Sequence, residues 1–193
     1  MSRIVFLVEE YSMKVFLDGL VPRLFPDLPF LCVPHEGKQD LEKSIPRKLR
    51  AWLEPGVQFV VLRDNDGGDC RTLKESLNQL AQTGGREDTL IRIVCQELES
   101  WYFGAPEALA EAFARPELRK LGERARFRDP DAIIQPSKAL TDEVEEFQKV
   151  SGARRMAQTL SRANRSRSFE VFVSGVDRLA AEMVAAPPPP RDN

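Results

Sequence analysis

At 193 residues, 42% of them hydrophobic, the chain is long enough for one domain with a full core and a small appendage. Its formal net charge of −2 excludes a global basic field for nucleic acid, and no apolar run approaches the roughly 20 residues a membrane helix needs. Three cysteines without paired spacing, Cys32, Cys70 and Cys95, argue against a disulfide frame or a zinc knuckle and for a reducing, cytoplasmic compartment.

The chain opens straight into a strand-like segment, "RIVFLVEE", with none of the pattern of a signal peptide. From there two kinds of segment alternate. "IVFLV" (4–8), "FLCV" (30–33), "FVVL" (59–62) and "LIRIV" (90–94) are short, apolar and β-rich. Between them, "SMKVFLDGLVPRLF", "DLEKSIPRKLRAWL" and "RTLKESLNQLAQ" carry apolar residues about one helical turn apart. Pro46 either kinks the second of these or begins a new helix. Near-continuous apolar strands separated by helices predict a mainly parallel sheet covered on both faces, an α/β fold. After Gly104 the pattern changes. "APEALAEAFA" reads as a helix starting near a proline. The stretch 115–138 is polar, basic and broken by prolines, and reads as a long excursion with at most short helices. "TDEVEEFQKV", "ARRMAQTLSRA" and "SFEVFVSGVDRLAAEM" read as helices, the last with Ser168 as N-cap. The division expected is an α/β core over 1–115, a helical C-terminal extension over 116–185 packed on it, and a disordered proline-rich tail over 186–193.

The acids fall where the strands end. Glu9 and Glu10 follow the first strand, Asp64, Asp66 and Asp69 the third, Glu97 and Glu99 the fourth. In an open parallel sheet those carboxyl ends share one edge, and that edge is where ligands bind. Carboxylates gathered there raise each other's pKa and strain the fold unless a cation compensates. All-oxygen ligands suit a hard ion, Mg²⁺ first and Mn²⁺ as substitute. Plainer roles compete: Asp69 reads as the cap of the next helix, Glu10 as solvent-facing, and Glu97 with Glu99 as an ordinary helix start. A calcium loop in "DNDGGDCRTLKE" is rejected, because the sixth position, which must turn on glycine, is Asp69. The Asp-x-Asp of metal-dependent nucleotidyl or glycosyl transferases accounts for the third strand but not for Glu9.

With "FLVEEYS" supplying Glu9 and "VLRDND" supplying Asp64 and Asp66, the chain resembles the Toprim domain of topoisomerases, primases and OLD-family nucleases. Glu10 stands where glycine commonly follows the glutamate in that family. From "FLVEE" through "RDNDGGD", "CQELESWYFG" and "PSKAL" it is similar to a family of small bacterial Toprim-like proteins, often encoded beside ATPases. The resemblance implies a Toprim-like parallel sheet, flanked by helices and followed by a helical C-terminal extension. It also implies a Mg²⁺-dependent nuclease acting on DNA or RNA, in anti-phage defence with an ATPase partner. Glu9, Asp64, Asp66, Glu97 and Glu99 would hold metal, and Lys138 of "PSK" would offset charge on the reacting phosphate. The alternative is a non-catalytic regulatory or sensor subunit of an ATPase. A dead module usually loses a ligand, and here every candidate acid is present.

The remaining conspicuous residues carry weaker signals. His35, the single histidine, reads as a loop residue rather than a general base. Trp101, Tyr102 and Phe103 read as a packing cluster, and neither Tyr11 nor Tyr102 is marked as a nucleophile. Arg124, Arg126 and Arg128, with Arg154 and Arg155, are the candidates for following a phosphate backbone; Arg162, Arg165 and Arg167 extend that stretch.

Overall fold

The protein is described here by a computed structural model covering residues 2–185; the tail expected to be disordered, 186–193, lies outside the described residues. Four strands form the central sheet: β1 (Arg3–Val8), β2 (Phe30–Pro34), β3 (Val57–Asp64) and β4 (Leu90–Val94). Their order is β2-β1-β3-β4 and every pairing is parallel. The register sets Val8 beside both Pro34 and Leu62, and Asp64 beside Val94. All four carboxyl ends therefore reach one edge, as the sequence predicts.

Side chains alternate across a strand, so the sheet has two distinct apolar faces. Val5, Leu7, Phe59, Val61 and Ile91 pack against α2 (Lys38–Ala51) and α3 (Cys70–Thr83). Ile4, Phe6, Val8, Val60 and Leu62 face α1 (Tyr11–Leu24) and the helical second half of the chain. That half comprises α4 (Glu99–Phe103), α5 (Pro106–Ala112), three 3₁₀ turns between Pro116 and Ala132, α6 (Pro136–Glu143), α7 (Lys149–Thr159) and α8 (Arg167–Ala185). Trp101 joins the two halves. Its ring centroid lies 5.1 Å from those of both Phe169 and Phe172 and 6.0 Å from that of Phe16. All four rings are fully buried, each worth roughly 2–3 kcal/mol of transfer free energy.

Three local expectations are corrected. The segment 141–150 is not one helix. α6 stops at Glu143, Val144 takes an extended conformation, and α7 begins only at Lys149. Val144 and Phe147 both drop into the core, and their three-residue spacing imitates a helical stripe. α7 also ends at Thr159, before the predicted limit at Ala163. Ser168 lies inside α8 and is not its cap; Ser166 Oγ accepts from the N–H of Phe169 at 3.2 Å in that role. Ser168 Oγ instead accepts from Trp101 Nε1 at 2.8 Å. Asp131, from the proline-broken excursion, ties this corner together, its carboxylate accepting from Ser166 Oγ at 2.6 Å and from the N–H of Ser168 at 2.8 Å. α2 runs unbroken through Pro46, and Asp69 caps α3 as expected, its Oδ1 accepting from the N–H of Thr72 at 2.7 Å.

Candidate functional site

The last two residues of β3 are a buried ion-forming pair, Arg63 and Asp64, 8% and 5% exposed. Alternation sends them to opposite faces of the sheet. Arg63 points with Phe59 and Val61 toward α2, where Nη1 donates to Glu42 Oε1 at 2.7 Å and Nε lies 3.7 Å from Glu9 Oε2. Asp64 points with Val60 and Leu62 toward the helical half. Glu9 sits between them, its Oε2 also accepting from the Asp64 N–H at 3.3 Å. Asp66, exposed just beyond, pairs with Lys38 Nζ at 3.1 Å.

On the Asp64 side the environment is dry and negative. Glu99 opens α4 and is only 2% exposed. Asp64 Oδ1, Glu99 Oε2 and the Tyr102 hydroxyl are buried without a hydrogen-bond partner. Burial pushes the Asp64 carboxyl well above the usual carboxylate range, and the charges of Glu99, Glu9 and Glu10 push it further. Burial also pushes Glu99 up to about 7, against the pull of Lys149. Glu9 is raised by burial and then by Asp66. The Tyr102 hydroxyl is raised by burial and then by Glu99, Glu10 and Asp64. Beside the Arg63 that faces Glu9, a second cation answers this cluster from the helical side. Lys149, the first residue of α7, lies with Nζ 3.5 Å from Glu10 Oε1. Its partial burial opposes its charge, but Glu99, Glu10, Asp64 and Glu97 outweigh that and hold its ammonium pKa above the usual lysine value.

Backbone strain and hydrogen bonds fix the loops that carry the acids. The N–H of Asn65 donates to Val94 O at 3.1 Å, that of Asp66 to Gln96 O at 3.1 Å, and that of Gln96 to Asn65 Oδ1 at 2.5 Å. Asp66 and Gln96 both take positive φ, 49° and 66°, a left-handed conformation costing a non-glycine residue roughly 1 kcal/mol or more. The loops after β3 and β4 thus turn sharply at the sheet edge and are stapled to each other.

The predicted site residues therefore separate. Glu9, Asp64 and Asp66 come together at the edge, and Glu99 joins Asp64. Glu97 is near enough to raise the Glu99 pKa, but its Oε2 accepts from the Ser137 N–H at 2.7 Å, at the start of α6. Glu10, read as solvent-facing, instead belongs to the cluster, held by Ser12 Oγ and Lys149. Lys138 is exposed, makes no ion pair among the described residues, and lines a different cleft with Arg126, Gln135 and Asp142. Lys149 holds the place among the acids that Lys138 was expected to take. It lies far along the chain in "EEFQKV", where no local pattern marks it; Arg63 carries a local signal, a charge closing the apolar run "FVVL". Among the described residues, no three His, Cys, Asp or Glu side chains are grouped so as to hold a metal ion as they stand.

The arginine candidates are all exposed. Arg124 pairs with Glu143 at 2.7 Å, Arg126 lies over the Phe127 ring and Arg155 over that of Phe113. Arg162 and Arg165 are structural instead: Arg162 forks onto Asp177 at 2.7 and 2.9 Å, and Arg165 donates to the carbonyls of Phe103, Phe127 and Arg128. His35 is buried, with Nδ1 2.8 Å from Val8 O and Nε2 2.9 Å from Lys48 Nζ; it joins β1 to α2.

A family described as a domain of unknown function (DUF4276) matches residues 8–177, a span that runs from the end of β1 through β2, β3 and β4, the acids and the first part of α8. The chain belongs to the DUF4276 family. No curated protein matches it significantly. Solved structures do share the DUF4276 fold. Two structures of the C-terminal region of the Xanthomonas campestris pv. campestris OLD protein, phased with mercury and with iodine, superpose at a TM-score of 0.53 and 18% identity. Each match covers 94% of this chain and 98% of theirs. The C-terminal region of the Burkholderia pseudomallei OLD protein superposes at 0.56 and 15% identity, covering 95% and 99%. The DUF4276 chain thus has the α/β architecture of those regions, an all-parallel four-stranded sheet flanked by helices. No helix among its described residues is long and apolar enough to cross a membrane.

Proposed function

We propose that this DUF4276 protein is a Mg²⁺-dependent, Toprim-like nuclease that hydrolyses phosphodiester bonds in DNA or RNA, working beside an ATPase in anti-phage defence. The carrying observation is the pair Asp64 and Glu99, buried at the carboxyl edge of the sheet, each with a carboxylate oxygen that no donor satisfies. A buried acid left so exposed to its neighbours' charge is a mark of a functional site. The surrounding donors are carboxylates, which fit a hard divalent ion and suit Mg²⁺, with Mn²⁺ as substitute. Glu9, Asp64, Asp66, Glu97 and Glu99 would hold it, and bound there it would polarise a phosphoryl oxygen as a Lewis acid.

The chain's own groups have separable tasks. Arg63 attracts Glu9 by charge at 3.7 Å, without a hydrogen bond, while the Asp64 N–H holds the same carboxylate oxygen. Lys149 carries the positive charge of the cluster and can offset charge growing on a phosphate. Glu99, with a pKa of about 7, can hold or release a proton near neutrality. Arg126, Arg128 and Arg154 are exposed and free of acid partners among the described residues, available to a nucleic-acid backbone alongside Arg124 and Arg155.

A second reading, a regulatory or sensor subunit of an ATPase, is favoured by one feature: Lys149 already balances the acids, and no three of them are gathered around a point. The two readings part in one experiment. Plasmid, single-stranded DNA and RNA are incubated with the protein and Mg²⁺ or Mn²⁺, alone and with an ATPase encoded beside it. Metal-dependent cleavage abolished by Asp64→Asn supports the nuclease. No cleavage under any condition, with altered ATP hydrolysis by the ATPase, supports the regulator.

A further inference from the structure

Cys70 and Cys95 lie on the two loops that carry the acids. Cys70 is the first residue of α3, directly after the Asp64–Asp69 loop, and Cys95 follows β4, two residues before Glu97. Their sulfurs are 3.7 Å apart, and neither residue is fully buried. A disulfide bond is ~2.0 Å long, so modest side-chain rotation brings the pair to bonding distance. The backbone there is already joined. Asn65 donates through Nδ2 to Cys70 Sγ at 3.0 Å, while its Oδ1 accepts from the Gln96 N–H. A covalent link would reinforce contacts that exist rather than deform the sheet edge. Cys32, by contrast, is buried at 4% exposure.

The two cysteines also share a cavity of about 410 Å³ with Arg71, Lys74, Arg92 and Arg167, and with one acid, Asp131. Arg71, Lys74 and Arg92 make no ion pair with an acid among the described residues. Arg167 is paired with Glu170, which leaves three cations without an acid partner against the single carboxylate of Asp131; that balance draws an anionic oxidant, and glutathione disulfide carries net negative charge at neutral pH.

We propose that Cys70 and Cys95 form a reversible thiol–disulfide site that takes glutathione disulfide as its oxidant and, once closed, ties the loop after β3 to the segment after β4. One cysteine thiolate attacks a sulfur of glutathione disulfide and releases one glutathione, leaving a mixed disulfide. The second cysteine sulfur then displaces the other glutathione. Two thiols are oxidised to a disulfide, one glutathione disulfide is reduced to two glutathiones, and the two thiol protons leave with them.

The test uses the reduced full-length chain in glutathione buffers of graded oxidation, followed by non-reducing tryptic mapping. The expected product is the Cys70 peptide linked to the Cys95 peptide, lighter by two hydrogen atoms and restored by dithiothreitol, with Cys32 still free. Its thermal midpoint should rise by several degrees, because the link restrains the unfolded chain. Cys70→Ser and Cys95→Ser should each stop at one glutathione adduct, whereas Cys32→Ser should close normally. The wild-type map needs no variant to fold. Both thiols remaining free in a fully oxidised buffer, a product that stops at mixed disulfides, or a link through Cys32 would each overturn the proposal.

Discussion

Lys149 Nζ lies 3.5 Å from Glu10 Oε1, joining the first turn of α7 to the end of β1 and placing an ammonium among Glu99, Asp64 and Glu97. A charge that must be present for the acids to ionise together makes specific demands on stability and on rate.

Lys149→Ala should lower stability by roughly 1 kcal/mol at pH 8, a modest figure because the lysine side chain is 44% exposed and its charge is screened by solvent. At pH 5 the loss should shrink, since Glu99, raised to about 7, is then protonated and needs no counter-charge. Urea titrations at both pH values measure it. An equal loss at each pH would mean that Lys149 contributes packing rather than charge.

The same residue should matter for turnover. In a metal-dependent cleavage assay Lys149→Ala should slow the rate by about a hundredfold, near the size reported for loss of one electrostatic stabiliser, with substrate affinity little changed. Lys138→Ala should change the rate less than about threefold, because Lys138 lines another cleft. Reversal of that order would return the catalytic role to Lys138.

Glu99 sets a pH dependence. Its carboxyl is raised from an ordinary 4.5 to about 7 in the fold, so the native state holds this proton more tightly than the unfolded chain does. The stabilisation is full below about pH 4.5 and is lost as pH rises through about 7. Stability should fall across that window by at most about 1.4 kcal/mol per pH unit and level off above it. Glu99→Gln should flatten the curve and be the more stable protein at pH 8. Saturating Mg²⁺ should flatten it too, if the cation binds the ionised form.

Asp64→Asn with Asp66→Asn should give a folded protein no less stable than the wild type, because like charges are removed and asparagine tolerates the positive φ at position 66. The wild type should melt higher in Mg²⁺ and the variant should not. A wild type indifferent to saturating Mg²⁺ counts against a metal site in the folded state.

Asp131→Ala tests how the C-terminal helices are anchored. Asp131 accepts three hydrogen bonds from Ser166 and Ser168, so its loss should cost about 2–3 kcal/mol, more than the roughly 1 kcal/mol expected for Ser166→Ala as loss of a helix cap. Chemical denaturation of both variants ranks them.

The sheet, its parallel sense and the acids at its carboxyl edge were legible in the sequence, because the signals are local: apolar runs such as "FVVL" separated by helical stripes, with acids soon after the first, third and fourth runs. Asp69 as a cap was legible for the same reason, lying three residues before the N–H it satisfies. The helical half was less so. Val144 and Phe147 mimic a helical stripe though the chain between α6 and α7 is not helical, since periodicity records only which residues are buried. The sorting of the acids was decided by tertiary structure alone. Whether Arg63 or Asp64 faces the helical half depends on which sheet face each occupies, and whether Lys138 or Lys149 reaches the acids depends on how α6 and α7 pack across the sheet edge. Those helices are placed by the shared core around Trp101, Phe16 and Phe172, a sum of contacts between residues far apart in the chain, and no short stretch of sequence encodes such a sum.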